Sequence, residues 1–172
     1  MKQKSARSKG DTRATASATD KENDLVPKAY NLLGGEQLLD KPVGNAFEAH
    51  DLILRGIPTK AFVHLAHQLG PLASEDAVFR ATGVSLCFIE RDAKAGNREG
   101  RLSVVQSKNA WQLAVILALG VDVFGDQEST CAWMLSPAIA LDNRCPIDLI
   151  CTAPGATAVE VLIKRIEYGV YI

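Results

Sequence analysis

The chain has 172 residues, enough for one ordinary domain or two small ones, and its apolar fraction of 47% leaves enough side chains for a core. Its net charge of −1 conceals a basic beginning and an acidic end. Residues 1–13 carry five bases against one acid, and residues 102–172 carry four bases against seven acids. The basic end could therefore contact nucleic acid, and the acidic end is not expected to.

The cysteines stand at positions 87, 131, 145 and 151, with no C-x-x-C pair and no histidine at metal-ligand spacing. A zinc site is not expected, and reduced thiols indicate a cytoplasmic protein. The N-terminus has charges but no apolar stretch behind them, so no signal peptide is expected. The longest apolar run, residues 111–124, is shorter than the about 20 residues that span a bilayer. A buried helix or a dimer seam is predicted there.

Residues 1–40 are predicted to form a disordered or loosely ordered basic arm. Residues 1–24 contain no apolar residue larger than alanine after Met1, so nothing there offsets the entropy of ordering. Residues 25–45 hold a short apolar cluster that Pro27, Gly34-Gly35 and Pro42 interrupt. That composition predicts a loose segment with at most one short helix.

From Phe47 onward the pattern is one of helices separated by brief turns, without strand alternation, so the predicted fold is all-α. Residues 41–101 are assigned to a first domain with helices at residues 47–55, 59–69, 75–81 and 85–95. Ser74 and Ser85 are predicted caps, and Gly83 supplies the unusual backbone angle of the turn between the last two helices. A short helix, a turn with glycine and a second helix make the layout of a helix-turn-helix unit.

DNA contact is one interpretation of that unit, with residues 85–95 as the recognition helix. Basic side chains and hydroxyls are the usual partners of phosphate oxygens. Glu90 and Asp92 offset part of the positive charge, and helix-turn-helix spacing is also common in bundles that never touch DNA. A solvated face is therefore the alternative. The candidate DNA-binding residues are Arg80, Ser85, Arg91, Lys94 and Arg98.

Residues 102–172 are assigned to a second domain, which opens with a helix at residues 103–120. Apolar side chains cover most of the circumference of this helix, so it must be covered on nearly all sides. A domain of about 70 residues offers little cover of that kind within one chain, and homodimerisation is predicted. The residues of the seam are Trp111, Val115 and Leu119. Asp126 precedes a further helix, and Pro146 opens a short helical turn.

The last helix is predicted to open at Pro154-Gly155 or at Thr157, since Thr157 and Glu160 have the spacing of a capping box. Its apolar stripe follows the i, i+3, i+4, i+7 pattern of one helix face, at Val159, Leu162, Ile163 and Ile166. Gly169 is suited to the left-handed residue just past the helix end. The apolar residues that follow favour insertion into a partner, and folding back on the same domain is the alternative.

Catalytic chemistry finds no support in the sequence. His64 and His67 lie three residues apart without an assignable third ligand, and Asp148 and Glu160 do not pair for acid and base work. The chain has no phosphate loop, no G-x-S-x-G and no G-x-G-x-x-G. No catalytic residue, metal or cofactor is expected.

Several short motifs follow one another along the chain: Gly56-Ile-Pro58, Gly83-Val-Ser85, Val123-Phe-Gly-Asp126, Trp133, Pro137, Leu141, Pro146-Ile-Asp-Leu149, Thr152, Gly155 and Arg165-Ile-Glu-Tyr-Gly-Val170. Together they resemble the Xre/MbcA/ParS-type antitoxins, bacterial antidotes encoded beside RES-domain toxins. The resemblance covers roughly residues 45–172 and is strongest in the last 50 or so. Relatives tend to have an arginine-rich start to the long helix and glycines after Leu141, where this chain has Asn109-Ala-Trp111 and Asp142-Asn143.

This resemblance implies that residues 102–172 bind a RES toxin, an enzyme that consumes NAD by hydrolysis or by ADP-ribosylating a protein. It implies inhibition by obstruction, with the C-terminal end inside the NAD pocket of the toxin. It also implies an Xre-like N-terminal domain that binds the operon's own promoter as a dimer. The alternative is a helix-turn-helix transcription factor whose C-terminal half only dimerises. The expected toxin-binding residues are Lys164, Arg165, Tyr168, Gly169, Val170, Tyr171 and Ile172.

Overall fold

The computed structural model of the protein describes residues 18–70, 74–94 and 100–169, without the side chains of residues 18–23, 88 and 92–94. Helices joined by short turns make up this part of the chain, with two isolated β-bridges, and the predicted all-α fold is confirmed. In chain order the helices are α1 (Ala18–Leu32), α2 (Gly35–Leu38), α3 (Ala46–Arg55), α4 (Thr59–Gln68), α5 (Glu75–Thr82), α6 (Leu86–Lys94), α7 (Val104–Phe124), α8 (Gln127–Met134), a 3-10 helix (Ile139–Leu141), α9 (Pro146–Leu149) and α10 (Ala153–Glu167).

Helix α7 is the centre of the bundle. It begins at a capping box in which Ser103 and Gln106 satisfy each other's backbone N–H groups, and it ends at Gly125 in the left-handed conformation. Helices α1, α3, α5, α8 and α10 all pack against it. Leu113, Ile116 and Leu117 of α7 are fully buried as a result.

Helix α1 differs from the expected loose arm. Ala18–Leu32 is helical although Pro27 lies inside it, and Leu25, Ala29 and Leu33 are buried on one side of the segment. Lys28 forms an ion pair with Asp122 of α7 at 2.8 Å. Proline within a helix removes one hydrogen bond and costs about 3 kcal/mol, yet packing of an apolar face supplies most helix stability in proteins. Burial against α7 therefore outweighs the proline, so the predictions of disorder at residues 18–24 and of a loose segment at residues 25–32 were wrong. Residues 1–17 lie outside the described residues.

The cover that α1 gives α7 bears on the predicted homodimer. That prediction assumed that one chain could not enclose this helix, and here α1 and α10 enclose much of it. Leu119 is only 8% exposed within its own chain, whereas Trp111 and Val115 are half-buried. Leu119 is therefore not available as a seam residue, and a dimer contact on this helix would be left to Trp111 and Val115.

The length of α7 also corrects an expectation. The apolar run 111–124 belongs to a 21-residue helix, which by length and composition alone could cross a membrane. About 56% of the most apolar stretch of α7 is buried inside the bundle. The central helix of a helical bundle can have the length and apolar composition of a membrane-spanning helix, so these two properties do not distinguish the two cases.

Helices α3 to α6 begin and end close to the predicted positions. The Asn45 side chain accepts from the backbone N–H groups of Phe47 and Glu48, and the Ser74 hydroxyl accepts from that of Ala77. Gly83 ends α5 in the left-handed conformation, as predicted from its place in the turn.

The start of α10 settles the two predicted openings. Thr152 is the cap, since its hydroxyl accepts the Gly155 N–H at 3.2 Å, and Pro154 lies in the first turn. The Thr157 hydroxyl instead donates to the Ala153 carbonyl at 3.0 Å inside the helix, so the capping box at Thr157 was wrong. A Cβ atom on Gly155 would overlap the Leu149 carbonyl oxygen, because α9 and α10 approach closely there.

A single hydrophobic core crosses the predicted domain boundary at residue 101. Its members run from Leu25 to Ile163 and include Phe62 of α4 and Met134 of α8. Helix α5 packs against both α7 and α9. The division into residues 41–101 and 102–172 remains a prediction, and the two segments do not have separate cores.

Candidate partner-binding site

Helix α10 has one buried and one exposed face. Val159 and Ile163 are fully buried, and Leu162 and Ile166 are half-buried beside them, so the predicted apolar stripe faces the bundle. Gln112 of α7 donates to Glu160 at 2.8 Å and helps to fix the position of the helix. The outward residues are Pro154, Ala158, Val161, Arg165 and Tyr168.

The C-terminal end of α10 carries the described part of the predicted toxin-binding set. The Tyr168 N–H donates to the Lys164 carbonyl at 3.2 Å, and Gly169 then takes a positive φ of 66° and ends the helix, as predicted. Lys164 and Arg165 lie in the last turn, where cations interact favourably with the helix dipole. Lys164 and Tyr168 each interact with a neighbouring group, and Tyr168 is still 68% exposed. Val170, Tyr171 and Ile172 lie outside the described residues.

A tight turn at residues 138–144 packs its 3-10 helix against α10. The Ala138 N–H donates to the Arg144 carbonyl at 3.1 Å, and Asp142 and Asn143 both have positive φ, 54° and 58°. Glycine, asparagine and aspartate tolerate this conformation best, so Asp142 and Asn143 suit these two positions. Leu141 is buried beneath the turn, whereas Ile139 points into solvent.

Helix α9 connects this region to the predicted helix-turn-helix unit through Asp148. Pro146 and Ile147 are buried, and the Asp148 carboxylate forms an ion pair with Arg80 of α5 at 2.7 Å. Arg80 also pairs with Asp76 at 3.1 Å. A residue predicted to contact DNA therefore lies between two carboxylates in this structure.

Other predicted DNA-binding residues also have interaction partners within the protein. The Ser85 hydroxyl donates to Glu75 at 3.1 Å, and the same Glu75 oxygen accepts the Cys87 N–H at 2.8 Å. A carboxylate thus occupies the first turn of α6, where a helix would otherwise attract a phosphate. Arg91 is exposed and has an interaction partner. The side chain of Lys94 and all of Arg98 lie outside the described residues.

The pKa values of Asp126 and Cys131 are shifted by contacts within the fold. Hydrogen bonds from the Ser129 N–H and hydroxyl lower the pKa of the Asp126 carboxyl, which caps α8. Burial raises the pKa of the Cys131 thiol. Within the described ranges, no three His, Cys, Asp or Glu side chains cluster at metal-binding distance. The His64 ring lies 3.2 Å from the Gln68 amide.

The last third of the chain is similar to a known protein family. Residues 119–169 match the family model described as the antitoxin Xre/MbcA/ParS C-terminal toxin-binding domain. The chain is also 32% identical over 95 residues to a protein named Antitoxin Xre from Yersinia enterocolitica serotype O:8 / biotype 1B (strain NCTC 13174 / 8081). That similarity covers 55% of this chain and 62% of the Yersinia protein. The matched family segment runs from the end of α7 to Gly169 and contains the turn at 138–144, α9 and α10.

Proposed function

We propose that the chain, whose residues 119–169 match the Xre/MbcA/ParS C-terminal toxin-binding domain, is the antitoxin of a toxin–antitoxin pair in the cytoplasm. The observation that supports this most is the family match to a toxin-binding domain, over a segment whose last helix keeps one face and its C-terminal end exposed. Such a protein acts by binding rather than by catalysis. Its partner is a second protein, the toxin.

The toxin in this proposal is a RES-domain enzyme that consumes NAD, by hydrolysis or by ADP-ribosylation of a protein. The antitoxin inhibits it by inserting the residues after Gly169 into the NAD pocket. Gly169 supports this because its left-handed conformation ends α10 before these residues. Val170, Tyr171 and Ile172 are apolar or aromatic, the types that supply much of the binding energy when a pocket encloses them. Lys164 and Arg165 supply positive charge beside the point of insertion.

A second part of the proposal concerns DNA. The α5–α6 pair, with its turn at Gly83, has helix-turn-helix layout and would bind the promoter of its own operon. Carboxylates hold Arg80 and Ser85, so contacts to phosphate would fall mainly to Arg91, Lys94 and Arg98. A homodimer would bring two such units together, with Trp111 and Val115 rather than Leu119 at the contact. The competing function is a transcription factor whose C-terminal half only dimerises.

The experiment that tests the proposal is co-expression with the toxin encoded beside this gene. Growth and cellular NAD are measured with the full chain, with a chain that ends at Glu167, and with a control that lacks residues 1–17. The full chain and the control are expected to restore growth and NAD, and the chain ending at Glu167 to fail. Equal rescue by all three would refute insertion of the tail and leave inhibition to the body of the domain. No rescue by any of them would refute the antitoxin function and favour the transcription factor.

A further inference from the structure

Ile139 is the most exposed of the large hydrophobic residues that the structure describes, at 87%. Single apolar side chains on a surface are common and carry no meaning by themselves. Ile139 differs from such cases in the backbone that holds it, which is the turn at residues 138–144.

Backbone hydrogen bonds and two residues with positive φ define the conformation of this turn. The Ala138 N–H donates to the Arg144 carbonyl, the Asn143 N–H donates back to the Ala138 carbonyl at 3.0 Å, and the Asp142 N–H donates to the Ile139 carbonyl at 3.1 Å. Two successive non-glycine residues have positive φ. Each such residue costs on the order of 1 kcal/mol, and strain of this kind persists only where the surrounding contacts enforce it. The turn therefore presents Ile139 in one fixed conformation.

The surroundings of Ile139 have the anatomy of a small interface centre. Leu141 is buried beneath it and anchors the turn to the core. Around it, the exposed positions are mostly polar or small: Ser136, Pro137, Ala140, Asp142, Asn143 and Arg144. A central apolar side chain within a rim of polar residues is the arrangement found at energetically important points of protein interfaces.

We propose that Ile139 is a second anchor for the toxin, which enters an apolar depression of the toxin surface outside the pocket that receives the C-terminal end. This inference rests on the proposed antitoxin function. The toxin is the favoured occupant because the turn lies inside the segment that matches a toxin-binding domain and packs against α10, whose end carries the tail. A second copy of the chain is less suited, because Trp111 and Val115, the residues left for that contact, lie on α7 rather than on this turn.

A rigid anchor affects binding chiefly through the complex lifetime. Because Ile139 is already held in place, little conformational freedom is lost when the toxin binds. Removal of an anchor costs at least about 1 kcal/mol, which corresponds to roughly a fivefold to tenfold loss of affinity and is expressed mainly in the dissociation rate.

The test compares Ile139→Ser with Phe47→Ser in the full chain, by surface binding kinetics against the purified toxin encoded beside this gene. Phe47 is 85% exposed on α3, outside the matched segment, so it controls for the loss of an exposed apolar side chain. Ile139→Ser is expected to raise the dissociation rate about tenfold, and Phe47→Ser to leave it unchanged. In chains that end at Glu167, Ile139→Ser is expected to remove most of the remaining affinity.

Three results would overturn the inference. Equal affinity of Ile139→Ser and Phe47→Ser, with tight binding by the unaltered chain, refutes the second anchor and leaves the antitoxin function intact. A change in the mass of the free Ile139→Ser chain by light scattering assigns the turn to self-association instead. Absence of toxin binding by the unaltered chain refutes the inference together with the proposed function.

Discussion

Arg80 illustrates how neighbouring side chains change the meaning of a single residue. A basic residue in a helix-turn-helix unit suggests a phosphate contact, yet Arg80 lies between Asp76 of its own helix and Asp148 of α9. Ion pairs that are this exposed contribute at most about 1 kcal/mol, so Arg80 could leave them. The pair with Asp148 nonetheless joins the proposed DNA-binding unit to the segment that matches a toxin-binding domain.

Asp148→Asn is expected to release Arg80 from α9. The free energy of unfolding should fall by less than about 1 kcal/mol, because the pair is partly exposed. The affinity for a double-stranded fragment of the chain's own promoter should rise at low salt, since Arg80 becomes available to phosphate. Fluorescence anisotropy at several salt concentrations measures this.

Asp142→Asn is the matched control, because it removes the same charge from an exposed position and asparagine tolerates positive φ. If both variants bind the fragment equally well, the gain comes from net charge alone and Arg80 has no part in DNA binding.

At the scale of elements, α1 and α7 depend on each other. Helix α1 contains a proline, and α7 has apolar residues on nearly every side, so neither suits an isolated helix in water. Their packing buries Leu25, Ala29 and Leu33 of the N-terminal segment. Residues 25–39 are therefore part of the core and not a loose arm.

Leu33→Ala tests this dependence. Leu33 is fully buried, so truncation leaves a cavity and should lower the free energy of unfolding by about 2–5 kcal/mol. Leu54→Ala, on the exposed side of α3, should change it by less than about 0.5 kcal/mol. Urea unfolding followed by circular dichroism measures both, and a similar small effect of the two variants would contradict the burial of this segment.

The cap of α8 predicts a dependence on pH. Hydrogen bonds from Ser129 lower the folded pKa of Asp126 below its unfolded value of about 3.9. Its stabilising contribution is therefore complete above that unfolded value and is lost as the pH falls through the folded pKa. Asp126→Asn keeps an acceptor oxygen at the cap but cannot titrate.

The urea midpoint of the unaltered chain should accordingly fall more steeply below about pH 4 than that of Asp126→Asn. Parallel curves for the two proteins would show that the cap makes no titratable contribution. Ser129→Ala, which keeps the N–H donor but removes the hydroxyl donor, should lie between them.

At the scale of the whole molecule, the described helices share one core. Phe62 of α4 and Met134 of α8 belong to the same buried cluster, although the sequence suggested a boundary between them. A chain with a shared core is expected to unfold as one cooperative unit. Toxin bound at α10 and DNA bound at α6 would then act on the same folding equilibrium.

A single unfolding transition is the expected result. Fluorescence reports on Trp111 and Trp133, both after residue 101, whereas far-ultraviolet circular dichroism reports on all helices. Phe62→Leu should lower both midpoints equally, by about 1 kcal/mol in free energy, and the exposed Phe47→Leu should lower neither. A shift seen by circular dichroism but not by fluorescence would indicate two independent domains.

The sequence by itself determined the features that depend on a few neighbouring residues. Ends of α5, α8 and α10 follow from Ser74, Gly83, Asp126 and Gly169, because a cap or a left-handed glycine acts on backbone groups within about four residues. The inward stripe of α10 follows from its helical period in the same way. Of the motifs that resemble the antitoxins, those from Val123 to Gly169 lie inside the segment that the family comparison matches.

Only the tertiary structure decided features that depend on residues far apart in the chain. Pro27 indicated a break, and contact with α7, some 90 residues later, made it part of a helix. The apolar pattern of α7 predicted Leu119 at a dimer contact, yet Leu119 is buried by its own chain. Arg80 forms an ion pair with Asp148 of a distant helix. Ile139 is exposed because it lies in a turn whose geometry no periodic pattern encodes. The physical reason is that burial and ion pairing are set by three-dimensional neighbours, whereas capping and periodicity are set by neighbours in sequence.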